Sequence, residues 1–294
     1  MPDLKYPFCV LDVDGTLTCT YNHFHPDIAA PVQEYRQRGG EVALLSGRLP
    51  KGMCDAVQWL HLPHGTLLGG GDGAVCARLV GDGSFEWLWI HTLHVETLLP
   101  GLIHAAQPGV ALTANSVIAV GKINKVMERM AAITAPDVLH IATWDKLPEV
   151  LDKNVLCGLR FILERDNTLR LIKVLQDIPE GDREIFDNNE FTNYVGYSIR
   201  PAGCDKGFAL KRLMEIAGFE PSQTAAFGDW ITDIPMLRNA GFSCAPSDAL
   251  KPVQQSARRV STHSIRNGWL AHELTLLLNH EAITILRDTE DCGL

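Results

Sequence analysis

The sequence predicts an α/β fold, in which a doubly wound parallel sheet is interrupted by an inserted α+β unit. Two observations support this prediction. Short, fully apolar runs alternate with amphipathic stretches of helical length near both ends of the chain, a pattern typical of buried parallel strands connected by helices. Between them, from about residue 82 to residue 197, the alternation becomes irregular. The chain has 294 residues, which is long enough for two domains.

The first part of the chain predicts the order strand, helix, strand, helix, at residues 4–11, 26–38, 41–45 and 49–60. Gly39 and Gly40 mark the end of the first helix, because glycine commonly follows a helix C-terminus. Two strand-like runs then flank a Gly-rich turn at 81–84, which predicts a β-hairpin from residues 74–80 and 85–92.

The irregular middle stretch predicts strands at 155–163 and 191–199 and a helix at 167–175. The earlier alternation then resumes with helices and strands at 207–217, 224–227, 234–239, 243–246 and 267–278. We therefore predict a Rossmann-like core made of residues 1–81 and 198–294, and an inserted α/β domain made of residues 82–197.

The composition excludes several classes of protein. The formal net charge is -9, which argues against a nucleic-acid partner bound on a basic surface. No apolar run approaches the roughly 18 residues that span a membrane, and residues 1–7 lack the layout of a signal peptide. The eight cysteines are scattered, with no C-x-x-C pair, as in a protein of the reducing cytoplasm. The oligomeric state is left open.

Polar residues follow several predicted strands at the point where each strand ends. Asp12 and Asp14 follow the first strand, Ser46 and Gly47 the second, and Asp229 and Asp233 the strand at 224–227. Because ligands bind beyond the carboxyl ends of parallel strands, these residues are expected to meet in one crevice.

The carboxylates of this crevice form a hard oxygen-ligand set, which suits Mg²⁺. Two His-x-x-His pairs, His61/His64 and His91/His94, invite a zinc interpretation, but no cysteine or second histidine pair stands at ligand spacing. The hydroxyl of Ser46, the backbone N–H of Gly47 and the charge of Lys206 would suit a phosphate group. Aromatic residues of the insertion, among them Trp87 and Trp89, could stack on a sugar or pack in its core.

The residues in these positions resemble four motifs of the haloacid dehalogenase-like superfamily. The segments are Asp12-Val13-Asp14-Gly15-Thr16, Ser46 after an apolar strand, Lys206, and Gly228-Asp229-Trp230-Ile231-Thr232-Asp233. Their order, with the insertion between the second and third motifs, resembles the Cof-type or type IIB phosphatases, in which the inserted domain is a cap over the active site.

The resemblance implies a Mg²⁺-dependent phosphatase that acts on a small phosphorylated metabolite, most plausibly a sugar phosphate. It implies that Asp12 is the nucleophile and a metal ligand, and that Asp14 is the general acid/base and binds metal through its backbone carbonyl. Asp229 and Asp233 would complete the metal site. Ser46 and Lys206 would hold the phosphate, assisted by the backbone of Val13 and Gly47.

The chain departs from the family pattern at three positions. Thr232 stands where the fourth motif usually has Asn and keeps a hydroxyl for the phosphate. Asp72 replaces a common Asn, and its charge would repel an anionic substrate unless it faces a hydroxyl or a cation. Asp248 also replaces an Asn. Arg48 is expected to form a structural ion pair.

Two alternatives to a phosphatase remain open from the sequence. A phosphotransferase or phosphomutase would pass the phosphoryl group to a sugar rather than to water, and it needs the same first motif. A non-catalytic module that binds a phosphorylated ligand is the other alternative.

Overall fold

The computed structural model describes residues 4–20, 22–81, 84–151, 155–165, 182–187 and 193–279. Most of its strands lie in two sheets. The first sheet contains, in spatial order, β16 (Arg259–Val260), β15 (Phe242–Ala245), β14 (Thr224–Phe227), β1 (Phe8–Leu11), β4 (Glu41–Leu45), β5 (Leu67–Gly70), β6 (Val75–Gly81) and β7 (Ser84–Ile90). The second contains β10 (Val138–Ile141), β9 (Val117–Val120), β8 (Gly109–Thr113), β11 (Leu156–Glu164), β13 (Tyr194–Arg200) and β12 (Asp182–Asp187).

The strands are connected by helices and by a short hairpin. The hairpin pairs β2 (Thr18–Thr20) with β3 (His23–Phe24). The helices are, in chain order, α1 (Ala29–Gln37), α2 (Cys54–Trp59), α3 (Val95–Ala105), α4 (Lys125–Thr134), α5 (Leu147–Leu151), α6 (Lys206–Ala217), α7 (Ile234–Asn239), α8 (Lys251–Ser256) and α9 (Trp269–Leu278).

Six strands of the first sheet, from β16 to β5, form the predicted doubly wound parallel sheet, and β6 and β7 extend it antiparallel. Strand β1 pairs in parallel with β14 on one side and with β4 on the other. All four of its residues are buried, and they point alternately to opposite faces. Cys9 and Leu11 pack with the cluster of α1 and α9, whereas Phe8 and Val10 pack with the cluster of α6 and α7. Helices on both faces therefore bury the strand completely, as its fully apolar sequence indicates.

The predicted strands at 41–45 and 224–227 coincide with β4 and β14, and the helix at 234–239 coincides with α7. The predicted hairpin is also confirmed, because β6 and β7 pair antiparallel. The predicted helix at 167–175 lies outside the described residues.

The second sheet forms the α+β unit. Its neighbouring strands are antiparallel, except that β9 and β10 are parallel. Helix α3 packs on one face through Leu98 and Leu102, and α4 packs on the other through Met127 and Ala131. The chain thus passes from the first sheet to the second between Ile90 and Gly109. Among the described residues, no helix combines the length and the apolar character needed to span a bilayer.

Candidate active site

The polar clusters predicted from the sequence lie at one edge of the first sheet. Strands β14, β1 and β4 are neighbours, and they end at Phe227, Leu11 and Leu45. Parallel strands bring their carboxyl ends to the same edge. Asp229, Asp12 and Ser46, each one or two residues past a strand end, therefore meet although more than 200 positions separate the first cluster from the last.

Three buried carboxylates converge at this edge. Asp12, Asp229 and Asp233 each offer an oxygen, and these oxygens lie within 4.8 Å of one another. Thr16 Oγ1 donates a hydrogen bond to Asp229 Oδ1 at 3.0 Å. The backbone N–H groups of Asp229 and Trp230 donate to Asp233 Oδ2 at 2.9 and 2.8 Å. These hydrogen bonds hold the carboxylates of Asp229 and Asp233 each in one orientation.

Gly15 allows the first motif to approach Asp229. Its φ is +84°, in the left-handed region that favours glycine, and an added Cβ would lie 2.1 Å from Asp229 Oδ2. Trp269 Nε1 donates to the carbonyl oxygen of Gly15 at 3.1 Å and so fastens this turn to α9. The glycine of the first motif is thus required by both backbone conformation and space.

Lys206 lies within this acidic cluster. Its ammonium donates to Asp12 Oδ1 and to Asp233 Oδ1, both at 2.6 Å. The side chain is only 3 % exposed, because Lys206 is the first residue of α6 and points toward the sheet edge. Asp205 caps that helix by accepting from the N–H of Phe208 at 2.7 Å.

The electrostatics of the cluster favour a cation. Burial raises the pKa of Asp12 to about 8, with Asp233 and Asp14 adding to the effect against the opposing charge of Lys206. Burial, Asp12 and Asp233 likewise hold the pKa of Asp229 well above its usual range. Burial would lower the pKa of Lys206, but Asp12, Asp233 and Asp72 outweigh it and raise that pKa. One lysine therefore does not compensate three buried carboxylates, and the site could hold a metal ion in addition.

The donor set fits a divalent metal that prefers oxygen ligands. All three converging side chains are carboxylates, which suit Mg²⁺ rather than zinc. Within the described ranges, no group of histidines and cysteines has comparable geometry. His91, one of the histidines considered for zinc, packs edge-on against Phe208 with ring centroids 5.2 Å apart.

Asp14 is held apart from the three converging carboxylates. Arg48 Nε donates to Asp14 Oδ2 at 2.8 Å, and Arg48 Nη2 donates to Asp14 Oδ1 at 2.5 Å. The arginine side chain is 3 % exposed, whereas that of Asp14 is 41 % exposed. The ion pair expected for Arg48 therefore orients Asp14 at the rim of the crevice. The N–H of Arg48 also donates to Ser46 Oγ at 3.2 Å.

These residues line one cavity of about 460 Å³ between the two sheets. Ser46, Gly47, Lys206 and Thr232 lie in its wall together with Asp12, Asp14 and Asp229. The side chain of Val13 is buried in the core, so this residue can reach a ligand only through its backbone. Asp233 is fully buried behind the wall. The structure thus brings together the residues predicted for the site.

Two of the three departures from the family pattern lie at the cavity. Thr232 lines it, and Asp72 faces a cation: Arg160 Nη2 donates to Asp72 Oδ2 at 3.0 Å. Asp248 is engaged elsewhere, since its Oδ1 accepts from the N–H of Ile265 at 3.0 Å.

The sequence reasoning missed the part of the wall that the second sheet and its helices supply. Five residues of this kind line the cavity: Met130, Ile133, Thr134, Arg160 and Ser198. One signal was present, because Arg160 is the only charged residue in the apolar run 155–163. Trp87 and Trp89, considered for sugar stacking, are partly buried and pack against clusters of buried hydrophobic residues. Trp89 Nε1 also donates to Gly73 O at 3.1 Å.

Comparisons with known proteins identify the family of this chain. A family model described as haloacid dehalogenase-like hydrolase matches residues 9–272. A phosphoglycolate phosphatase of Methanosarcina acetivorans is 23 % identical over 90 % of this chain and 94 % of its own length. An Escherichia coli 5-amino-6-(5-phospho-D-ribitylamino)uracil phosphatase is 36 % identical over 27 % of this chain and 29 % of its own length.

Solved structures share the fold. A haloacid dehalogenase-like hydrolase from Bacteroides thetaiotaomicron superposes with a TM-score of 0.76 at 20 % identity, covering 92 % of this chain and 99 % of the other. A subclass IIB sugar phosphatase superposes with a TM-score of 0.70 at 17 % identity, covering 91 % and 97 %. This chain belongs to the haloacid dehalogenase-like hydrolases, as its four motifs predicted, and it is a phosphatase that acts on a phosphorylated substrate.

Proposed function

We propose that this phosphatase depends on Mg²⁺ and hydrolyses the phosphate ester of a small metabolite, most plausibly a sugar phosphate, through an aspartyl-phosphate on Asp12. The observation that carries the proposal is the convergence of three buried carboxylates within 4.8 Å, with Lys206 2.6 Å from two of them. Asp12, Asp229 and Asp233, with the backbone carbonyl of Asp14, would hold the ion. When bound, Mg²⁺ neutralises charge on the phosphoryl oxygens.

The chemistry of the chain's own residues follows from their positions. The carboxylate of Asp12 attacks phosphorus, and the bond from phosphorus to the ester oxygen breaks. Asp14, at the open rim, gives a proton to the leaving oxygen. Asp14 then takes a proton from water as the water oxygen attacks phosphorus. The bond between phosphorus and the Asp12 oxygen breaks, which restores the Asp12 carboxylate and releases inorganic phosphate. Arg48 donates to both oxygens of Asp14, and the second lone pair of each oxygen stays available for the proton transfers.

The remaining polar groups of the wall would bind the phosphate. Lys206 compensates charge on the transferring group, and the Ser46 hydroxyl, the Thr232 hydroxyl and the backbone N–H groups of Gly47 and Val13 donate to its oxygens. Such donors stabilise the transition state most when water is excluded. The second sheet, which closes the other side of the cavity, would exclude that water.

The size and lining of the cavity support a sugar-sized leaving group. A volume of about 460 Å³ exceeds what a two-carbon alcohol needs beside its phosphate, and the polar residues Thr134 and Ser198 lie in the cavity wall. Among similar proteins, one solved structure is named a sugar phosphatase, whereas curated relatives are named for phosphoglycolate or a phosphoribityl compound. The metabolite itself is therefore proposed only as a class.

The organisation and setting proposed from the sequence accompany this function. We retain a core of residues 1–81 and 198–294 with a cap of residues 82–197, although β7 is hydrogen-bonded within the first sheet. A cytoplasmic location without nucleic-acid or membrane partners stays a prediction. In the described ranges no disulfide links the cysteines, which is compatible with a reducing compartment.

The test is a screen of phosphorylated metabolites with Mg²⁺ present, measuring free phosphate. Asp12→Asn should abolish turnover while circular dichroism shows an intact fold, and chelation by EDTA should silence the wild type. Substantial activity in Asp12→Asn or in EDTA would contradict the proposal. Formation of an isomeric sugar phosphate without phosphate release would identify a phosphomutase instead.

A further inference from the structure

An ion pair between the two sheets forms part of the cavity wall. Asp72 follows β5 of the first sheet, and Arg160 lies on β11 of the second. Arg160 Nη2 donates to Asp72 Oδ2 at 3.0 Å and to the carbonyl oxygen of Gly47 at 2.7 Å. The side chain of Asp72 is 14 % exposed, and that of Arg160 is 12 % exposed. The pair is therefore well shielded from water and spans the boundary between the two units.

The ion pair lies directly against the loop proposed to bind phosphate. An added Cβ at Gly47 would lie 3.0 Å from Arg160 Nη2 and 3.1 Å from Asp72 Oδ1. Both charged side chains also line the cavity. A leaving group attached to a phosphate at Ser46 and Gly47 would therefore extend past Asp72 and Arg160.

The charges of this wall compensate one another. Among the described residues that line the cavity, each cationic side chain is bonded to a carboxylate: Lys206 to Asp12, Arg48 to Asp14, and Arg160 to Asp72. Burial alone would raise the pKa of Asp72, but Arg160, Lys206 and Arg200 together lower it. Asp72 is thus an anion at neutral pH, and its charge offsets that of Arg160 within the pair.

The rest of that wall is uncharged. It consists of Thr134, Ser198, Met130 and Ile133. Asp72 can accept further hydrogen bonds, and the five N–H groups of Arg160 exceed its bonds from Nη2 and the one that Nη1 donates to Thr134 Oγ1 at 3.3 Å. A carboxylate and a guanidinium side by side suit the hydroxyls of a polyol, which both donate and accept.

We propose that the Asp72–Arg160 pair makes this site selective for phosphate esters whose leaving group is uncharged and bears hydroxyls, and makes it reject esters whose leaving group bears a carboxylate. A substrate carboxylate at this wall would meet the charge of Asp72. If it drew Arg160 away, it would leave Asp72 buried without its partner, which is costly. The inference rests on the proposed function, since it concerns the specificity of the same site.

Pairs of esters that differ only in the leaving-group charge test the proposal. The first pair is 2-hydroxyethyl phosphate and 2-phosphoglycolate, and the second is glycerol 3-phosphate and 3-phosphoglycerate. With Mg²⁺ present, wild-type kcat/KM should favour the neutral member by about tenfold or more in each pair, the size of effect expected for a charged hydrogen bond lost or opposed. Equal values, or a preference for the carboxylates, would overturn the proposal without any variant being needed.

Variants then assign the selectivity to the ion pair. Asp72→Asn keeps the shape but removes the negative charge, so the ratio of carboxylate to neutral kcat/KM should rise by about ten- to a hundredfold. In the double variant Asp72→Asn/Arg160→Gln, the ratio of carboxylate to neutral kcat/KM should no longer be raised. Asp137→Asn is the matched control, because Asp137 pairs with Lys51 between the same two units but outside the cavity wall. A ratio that Asp72→Asn leaves unchanged, or that Asp137→Asn moves as much, would refute the assignment.

The same measurements separate the two proposals. If the wild type with Mg²⁺ turns over neither these four esters nor any other phosphorylated metabolite of the screen, the proposed function fails and this inference fails with it. If it hydrolyses phosphate esters but favours those with a carboxylate, the inference alone fails.

Discussion

Replacing Lys206 with methionine removes the only cation bonded to the converging carboxylates in the described structure. Methionine keeps most of the volume of the stem but cannot bond to Asp12 or Asp233, each 2.6 Å from the ammonium. The Lys206 side chain is 3 % exposed, so water cannot readily reach the carboxylates that lose their cationic partner. The change thus isolates the electrostatic role of Lys206.

The magnitude can be worked in two ways. Removing one partner of a buried ion pair typically costs about 3–5 kcal/mol. The Lys206 ammonium and the Asp12 oxygen 2.6 Å from it attract by about 6 kcal/mol at an effective dielectric constant of about 20, and the cost of desolvating the buried ammonium offsets part of this attraction. Both routes predict that metal-free Lys206→Met loses about 3–5 kcal/mol in its free energy of unfolding. Activity with Mg²⁺ should fall by about a hundred- to a thousandfold, as for other lost transition-state donors.

The assay is urea unfolding in EDTA at about pH 9, where Asp12 of the wild type, whose pKa is about 8, is ionised. Lys206 lowers that pKa, so in the variant Asp12 has a higher pKa, and its protonation relieves part of the cost and places the loss toward the lower end of the range. Lys211→Met is the matched control, because Lys211 lies on the same helix, α6, but is exposed. Adding Mg²⁺ should recover part of the loss, since a cation that binds only the folded state stabilises it. A difference between the two variants below about 1 kcal/mol would refute the reasoning, because surface substitutions cost that little.

Three further outcomes are expected. In metal-free protein, burial raises the pKa of Asp12 from 3.8 to about 8. The free energy of unfolding should therefore fall as the pH rises between those values, by up to about 1.4 kcal/mol per pH unit. A free energy of unfolding that rises over that range would contradict this prediction. Gly15→Ala should weaken Mg²⁺ binding, measured by calorimetry, because the added Cβ would lie 2.1 Å from Asp229 Oδ2. Gly218→Ala is the control, because Gly218 has a similar φ but an added Cβ there meets no atom within 4 Å, so this variant should lose stability without losing Mg²⁺ affinity. Arg48→Lys removes the two hydrogen bonds that orient Asp14. The kcat should then fall about tenfold for alkyl phosphates and less for p-nitrophenyl phosphate, whose leaving group needs no proton. Equal losses of kcat for both substrates would contradict the role of Asp14 as the general acid.

Much of the core and its site could be predicted from the sequence, because local patterns determine them. Strands β4 and β14 are apolar runs that end in polar residues, and their parallel pairing with β1 brings those residues together. The contacts of the inserted unit could not be predicted in this way. Arg160 reaches Asp72 across 88 positions, and this pairing depends on how the second sheet docks, for which the sequence carries no motif. The charge of Asp72 could be recognised as unusual, but its partner could not.

The boundary of the insertion also shows the difference between what local sequence patterns determine and what long-range contacts determine. The Gly-rich turn at 81–84 marks a change in pattern, yet β7 beyond it pairs with β6 and extends the first sheet. A hairpin is determined by its turn and its alternation, whereas the sheet to which it belongs depends on which edge is free to accept it.

Trapping the covalent intermediate tests the central claim most directly. A radiolabelled phosphate ester that the screen identifies is mixed with enzyme and Mg²⁺, quenched in acid within the first turnover, and the digested protein is mapped. The account predicts label on the peptide that contains Asp12, and neither label nor turnover in Asp12→Asn. Phosphate release without labelled protein, or label on another residue, would contradict it.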